Sequence, residues 1–165
     1  MIISSEKYKV EFFDQPEYVA NQSNQIKNIL NQFLDFFDIM KLDLEISFCS
    51  EDQIRELNKK FRGKDSATNV LSFPTSLENY EVISSLKPTE ADNPYELGDI
   101  AIAFEICKKE ATKSQVKFEH HVYHLIIHSV LHLLGFDHEE EENASKMEKI
   151  EVQVLANLGI SNPYL

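Results

Sequence analysis

The stretch His128-Ser-Val-Leu-His132-Leu-Leu-Gly135-Phe-Asp-His138 predicts a helix that ends in a tight turn. His128 and His132 are four residues apart, so their imidazoles share one face of that helix. Gly135 can adopt the left-handed conformation that ends a helix, and the chain then turns back and brings His138 to the same place. Three imidazoles with an open fourth position are typical of a catalytic zinc site. We therefore predict that His128, His132 and His138 bind one zinc ion, although three histidines also suit nickel or copper.

The same stretch lacks the general base of a zinc protease. Its histidines and glycine match the metalloprotease pattern H-E-x-x-H-x-x-G-x-x-H, but Ser129 stands where those proteases carry glutamate. A serine hydroxyl does not accept a proton from zinc-bound water near neutral pH. A divergent protease is therefore kept as an alternative and not as the first hypothesis.

The other three histidines precede the predicted ligands. His124 lies one turn before His128, but each step of four residues rotates about 40° around the helix. That rotation carries His124 off the metal-facing side, so we predict that it supports a ligand or packs. His120 and His121 are predicted to be solvated at the helix start and not to be ligands. Asp137 has two interpretations, a carboxylate beside the metal or a cap of the following helix, and we favour the cap.

Length and composition place limits on the class of protein. We expect the 165 residues to form one domain, and the N-terminal residues show no secretory signal pattern. No apolar stretch is long enough to span a membrane, so a cytoplasmic protein without a membrane partner is expected. The formal net charge of −12 predicts weak nonspecific binding to nucleic acid and no DNA partner. The segment 59–64 is a local exception because it carries four of the basic residues.

Hydrophobic periodicity predicts an α+β fold, with a small mixed sheet of about four strands, helices packed on it and the metal site on a helix–turn. The predicted strands are 8–13 (at an edge of the sheet), 42–49, 70–73 and 97–104. The predicted helices are 16–40, one opened by a capping box at Ser50 and Gln53 and ended near Gly63, 105–117, 118–134, and a final helix after Asp137. Residues 75–96 show no periodicity and are predicted to be a surface insertion.

Three blocks of the sequence resemble one known family. The histidine stretch resembles the signature H-G-x-L-H-L-x-G-Y-D-H of the YbeY family, bacterial endoribonucleases needed for ribosomal RNA maturation. Residues 57–74 are similar to the family block N-x-x-[FY]-R-x-x-[DN]-x-x-T-D-V-L-S-F, and residues 97–100 resemble its G-D-I strand. Three positions depart from the family pattern: Ser129 replaces glycine, Phe136 replaces tyrosine and Asn69 replaces aspartate. The missing tyrosine hydroxyl puts a catalytic role for position 136 in doubt.

The resemblance implies a metal-dependent endoribonuclease that prefers single-stranded RNA. It implies a role in 16S ribosomal RNA 3′-end maturation and ribosome quality control, with ribosomal RNA or ribosomal proteins as partners. It also implies a catalytic or phosphate-contacting role for Arg62, and the chemistry agrees because a guanidinium grips phosphate in a two-pronged fork.

The identity of the attacking nucleophile stays open at this point. A zinc ion would lower the pKa of its water to about 7 and supply hydroxide without a protein base, but the RNA 2′-hydroxyl could attack instead. A third hypothesis is a noncatalytic module that uses the metal for stability and binds the ribosome or a partner protein.

Overall fold

The computed structural model describes residues 1–6, 8–37, 41–75, 95–138 and 141–165. In this part of the chain five strands and five helices form, together with a four-residue helical segment. The strands are β1 (Ile2–Ser4), β2 (Tyr8–Phe13), β3 (Leu42–Cys49), β4 (Val70–Pro74) and β5 (Tyr95–Ala103). The helical elements are α1 (Glu17–Ala20), α2 (Ser23–Phe37), α3 (Glu51–Arg62), α4 (Phe104–Lys113), α5 (Phe118–Leu133) and α6 (Glu141–Asn157). None of these helices is both long and apolar enough to cross a bilayer.

The strands form one mixed sheet in the order β1-β2-β3-β5-β4. The two outer pairs, β1 with β2 and β4 with β5, are antiparallel, whereas β3 runs parallel to both β2 and β5. The predicted α+β class and mixed sheet are confirmed. The predicted edge position of strand 8–13 is wrong because β1 pairs outside it. Three residues are too short for a periodicity to reveal a strand.

Two predicted boundaries differ from the structure. Tyr95 and Glu96 begin β5, so they do not belong to the predicted insertion, whose residues 76–94 lie outside the described residues. The single helix predicted over 16–40 is divided, since α1 and α2 are separated by a turn at residues 21 and 22. The final helix is described from Glu141 and residues 139 and 140 are not, so the cap at Asp137 stays a prediction.

The strands alternate buried and exposed residues, and each face of the sheet has its own core. The main core joins the sheet to α2, α5 and α6, and a small second core lies on the opposite face, where Ile54 of α3 packs with Leu71, Ala101 and Ala103. Helix α5 is apolar on almost all sides, as expected of a central helix. Its buried apolar residues are Val122, Tyr123, Leu125, Ile126, Ile127, Val130, Leu131 and Leu133.

Helix α3 begins and ends as its sequence predicts. The backbone N–H of Gln53 donates to Ser50 Oγ at 3.3 Å, and the backbone N–H of Ser50 donates to Gln53 Oε1 at 2.8 Å. The helix ends at Arg62, followed by Gly63 in the left-handed conformation. The buried amide of Asn58 donates to the carbonyl of Ser66 at 2.8 Å, which ties the next loop to the helix. These contacts fix the position of Arg62.

At Gly98 the backbone of β5 lies close to the backbone of β4. Its φ is +130°, and a Cβ at this position would collide with the carbonyl oxygen of Phe73. Because a backbone atom cannot move aside cheaply, Gly98→Ala is expected to lower the free energy of unfolding by about 3 kcal/mol. Urea denaturation measures this loss.

The control for that prediction is Gly159→Ala. Gly159 also has a positive φ, +72°, but no atom lies within 4 Å of a Cβ built there. The variant should lose only about 1 kcal/mol, the cost of the left-handed conformation alone. Equal losses in the two variants would show that the contact with Phe73 does not matter.

Candidate metal centre

A hydrogen-bonded turn ends α5 and reverses the chain. Gly135 has a φ of +90°. Its N–H donates to the carbonyl of His132 at 3.0 Å, and the N–H of Phe136 donates to the carbonyl of Leu131 at 3.0 Å. This pair of bonds is the Schellman arrangement, which needs a left-handed residue where the helix stops. The predicted helix end at Gly135 is confirmed, and the reversal returns His138 to the helix.

The structure brings His128, His132 and His138 together. One possible ligand atom from each lies within 4.8 Å of the others, and among the described residues no other group of histidine, cysteine or acidic side chains meets this condition. The ring centroids of His128 and His132 are 4.5 Å apart, and His138 is 5.7 Å from the first ring and 5.1 Å from the second. His138 is exposed and the other two are half-buried, so the cluster is open on one side.

Hydrogen bonds fix which nitrogen of each helical imidazole carries the proton. Nδ1 of His132 lies 2.9 Å from the carbonyl oxygen of Phe136, and a carbonyl only accepts. Nδ1 of His128 lies 2.7 Å from Oε1 of Glu151. Both Nδ1 atoms are therefore donors, and in the neutral imidazole this leaves a lone pair on Nε2.

The two Nε2 atoms lie 3.0 Å apart. Two lone pairs at this separation repel unless a cation or a proton lies between them. Histidines that bind metals usually donate the N–H of the other ring nitrogen to a carboxylate or a backbone carbonyl, as His128 and His132 do here. The donor set therefore fits a metal ion such as zinc, with His138 as the third nitrogen.

The buried carboxylate of Glu151 lies behind this cluster. It accepts hydrogen bonds from His128 at 2.7 Å, from His124 at 3.2 Å and from the hydroxyl of Tyr164. Burial raises the pKa of Glu151, but the bonds from His124, His128 and Tyr164 outweigh it and lower the pKa to about 2. Glu151 is therefore ionised at neutral pH. His124 contacts Glu151 and does not join the three-histidine group, as its position on the helix predicts.

Sequence reasoning missed Glu151 and Tyr164. Glu151 had a detectable signal, because it lies four residues after Met147 and next to Ile150 on the apolar stripe of α6. A carboxylate on such a stripe is rarely buried unless it is paired. Tyr164 follows the last helix without a periodic pattern, so nothing in the sequence marks its contact with Glu151.

Two positions that depart from the family pattern have structural explanations. The ring of Phe136 packs against Phe37 with centroids 5.7 Å apart, and its backbone carbonyl orients His132. Neither contact needs a tyrosine hydroxyl. Ser129 is fully buried, and its hydroxyl has no hydrogen-bond partner among the described residues. Ser129 therefore does not offer a base to the open side of the cluster.

Arg62 lies in the last turn of α3, exposed to solvent. Burial and the charge of His128 lower the pKa of His132 to about 4, and the charge of Arg62 adds to this effect. The guanidinium is thus within electrostatic reach of the cluster. Asp65 is bound at 2.7 Å by both Arg55 and Lys59. No ion pair forms between Arg62 and a carboxylate within the described ranges.

The sequence predicted that His121 is solvated, but in the structure its side chain contacts Glu110. Its Nε2 lies 2.9 Å from Oε2 of Glu110, and the side-chain amide of Asn69 donates to the same oxygen at 3.0 Å. An aspartate at position 69, common in the family pattern, would place a second carboxylate there and repel Glu110. The amide of Asn69 suits this particular neighbour.

Replacing Glu151 is expected to weaken metal binding. The variant Glu151→Gln keeps the shape of the side chain but removes the negative charge of the group that accepts the hydrogen bond from His128. We expect zinc affinity to fall by about 10- to 100-fold, the usual effect of losing such a partner. Competition with a fluorescent chelator measures the affinity. Glu141→Gln, an exposed change on the same helix, is the control and should leave it unchanged; equal affinities in all three proteins would contradict the assigned role.

The metal-free protein is expected to lose stability in mild acid. Burial and the charge of His128 lower the pKa of His132 from 6.5 to about 4. Between these values the unfolded chain binds more protons at His132 than the folded chain, so the free energy of unfolding decreases as pH falls. From pH 7 to pH 5 the loss from this residue is roughly 2 kcal/mol in urea unfolding. In His132→Gln the free energy of unfolding should depend less on pH. If its pH dependence equals that of wild type, His132 is not the source of the loss.

Known proteins are similar to this chain over most of its length. The family described as Endoribonuclease YbeY matches residues 9–159. Endoribonuclease YbeY of Bradyrhizobium diazoefficiens is 42% identical over 131 residues, which cover 77% of this chain and 66% of that protein, just under two thirds of its length. Endoribonuclease YbeY of Agrobacterium fabrum is 42% identical over 144 residues, covering 82% of this chain and 80% of the relative.

A solved structure is also similar. The solution structure of TM1509 from Thermotoga maritima has a TM-score of 0.56 and 26% identity, covering 90% of this chain and 91% of the other. With a family match over residues 9–159 and relatives at 42% identity, the chain belongs to the endoribonuclease YbeY family.

Proposed function

We propose that this chain is a metal-dependent endoribonuclease that cleaves single-stranded segments of ribosomal RNA. In this proposal residues 1–165 form one catalytic domain, His128, His132 and His138 hold one zinc ion, and Arg62 contacts the phosphate. The observation that carries it is the cluster of three histidines in which the Nε2 atoms of His128 and His132 lie 3.0 Å apart, within electrostatic reach of Arg62. Family membership supplies the reaction, hydrolysis of phosphodiester bonds within RNA.

The three imidazoles and Glu151 have separate tasks in this proposal. When bound, a zinc ion supplies Lewis-acid chemistry, because it acidifies water and polarises a phosphate oxygen. His128 and His132 present neutral nitrogens to it, and Glu151 and the Phe136 carbonyl keep their protons on Nδ1. Because no protein carboxylate is needed as a base, Ser129 at the protease position is no obstacle to this chemistry.

Arg62 supplies the charge that a phosphodiester requires. A guanidinium can bind two phosphate oxygens at once and stabilise negative charge that develops on them. Arg62 is exposed to solvent, so a substrate can reach its side chain. The same fork would orient the scissile phosphate toward the histidine cluster.

The substrate is proposed to be unpaired RNA, since a flexible backbone fits an open cleft more easily than a stiff duplex does. We infer a role in 16S ribosomal RNA 3′-end maturation and ribosome quality control in the cytoplasm, with ribosomal RNA or ribosomal proteins as partners. The chemical nature of the product end distinguishes two pathways: a 2′,3′-cyclic phosphate indicates attack by the 2′-hydroxyl, and a simple phosphate or hydroxyl end indicates attack by water.

The two arginines of α3 provide a matched test. Arg62→Ala is expected to lower kcat/KM on single-stranded RNA by about 100-fold or more, as when a donor to the developing charge is removed. Arg55→Ala removes the other arginine of the same helix, which is paired with Asp65, and should change kcat/KM by no more than about threefold. Metal content and thermal unfolding should be normal in both proteins. Similar kcat/KM values in the two variants would remove Arg62 from the mechanism.

The alternative functions predict different results for purified wild type and His128→Ala. An endoribonuclease cleaves single-stranded RNA, loses this activity in His128→Ala and leaves casein intact. A divergent protease would cleave casein and leave RNA intact. A noncatalytic module would unfold without metal and cleave neither substrate with it.

A further inference from the structure

We propose that the exposed ring of Phe61 is a stacking site for one unpaired base of the RNA substrate, next to the metal centre. This inference rests on the function proposed above and names a contact that selects single-stranded RNA. It is carried by three observations: the exposure of the ring, the way the ring is held, and the charges beside it.

Phe61 is an exposed aromatic residue at the end of α3. It lies in the last turn of α3, three residues after the buried Asn58, yet 57% of its surface is accessible to solvent. An exposed phenylalanine contributes little to the core and favours association with other flat apolar groups. Every nucleobase has a π-face, so an aromatic side chain can stack with any unpaired base.

The ring of Phe61 is held from below by a second aromatic ring. Phe73 of β4 contacts it edge to face, with centroids 5.1 Å apart and planes inclined at 62°. Phe73 in turn packs against the second core, which includes Ile54 and Leu71. This support restrains Phe61 without covering it. A restrained ring loses less conformational entropy when a base binds than a freely rotating one does.

Basic residues adjoin Phe61 in sequence on a chain that is acidic overall. The ammonium of Lys60 lies over the ring of Phe61, 5.0 Å from its centroid, so a stacked base would displace this exposed, flexible side chain. Arg62 and Lys64 follow in sequence. Neither Lys60, Arg62 nor Lys64 forms an ion pair with a carboxylate in the ranges that the structure describes. A nucleotide carries a flat base beside an anionic phosphate, so it complements an aromatic ring with cations nearby.

The position of Phe61 relates this contact to the histidine cluster. Phe61 and Arg62 are consecutive, so their Cα atoms are about 3.8 Å apart. The charge of Arg62 reaches His132 of the cluster. A base stacked on Phe61 would therefore belong to a nucleotide near the phosphate that Arg62 binds. A paired base already stacks within its own helix, so a duplex cannot use this site without unpairing.

The test is single-turnover cleavage by the metal-loaded enzyme. The substrate is a labelled single-stranded RNA in which one nucleotide at a time is replaced by an abasic ribose, on both sides of the cleavage site. In wild type, one abasic position is expected to raise the half-saturating enzyme concentration by about 5- to 20-fold, the lower range for losing a base–aromatic stack. The cleavage rate at saturation should be unchanged, because the contact is equally strong before and during the reaction.

Three variants give the comparison. Phe61→Leu keeps an apolar side chain but cannot stack; it should bind the intact RNA about 5- to 20-fold more weakly and no longer distinguish the abasic position. Phe61→Trp should restore both the affinity for intact RNA and the discrimination against the abasic position. Phe13→Leu, an exposed phenylalanine on β2 that β3 and β5 separate from β4, is the control and should behave as wild type.

The salt dependence of half-saturation separates stacking from charge. The slope is that of the logarithm of the half-saturating concentration against the logarithm of the salt concentration. Phe61→Leu should leave this slope unchanged, whereas Lys60→Gln or Lys64→Gln should reduce it by about 0.7. If wild type cleaves RNA and Phe61→Leu keeps the full abasic penalty, the stacking site is wrong and the proposed function stands. If wild type cleaves no RNA, the proposed function itself fails.

Discussion

Inside the protein, the carboxylate of Glu151 accepts hydrogen bonds from two histidines of α5 and from the hydroxyl of Tyr164. An ionised carboxylate that is fully buried costs several kcal/mol unless such donors compensate for its lost hydration. The three donors make the burial tolerable, and in return the charge fixes the tautomer of His128. The arrangement of nitrogens at the surface therefore depends on a charge in the interior.

Helix α5 serves both the core and the candidate site, and this double role restricts its sequence. Its apolar residues fill the space between the sheet and the neighbouring helices, while His128 and His132 occupy the part of its circumference that faces the turn. A helix packed on several sides cannot rotate without breaking the core. The two histidines are consequently held on a rigid element, which suits a site whose chemistry depends on positions within fractions of an ångström.

Local patterns in the sequence predicted the parts of this structure that have local causes. The spacing of the histidines, the left-handed Gly135 and the capping box at Ser50 each depend on a few neighbouring residues, and each is found in the structure. Strand β1 was missed because three residues carry no period, and its presence moved β2 away from the edge. Glu151 was missed because its partners lie on another helix and in the residues after α6, so that only tertiary packing reveals them.

The contact between Tyr164 and Glu151 also has a consequence for biosynthesis. A chain emerges from the ribosome with its N-terminus first, so α3 with its cations is exposed to the surroundings well before α6 has been made. A nascent chain that has passed residue 138 but not residue 151 has all three histidines and lacks the carboxylate that orients one of them. The hydroxyl that supports this carboxylate arrives thirteen residues later. The order of translation thus supplies the basic residues of α3 first and the completed histidine cluster last.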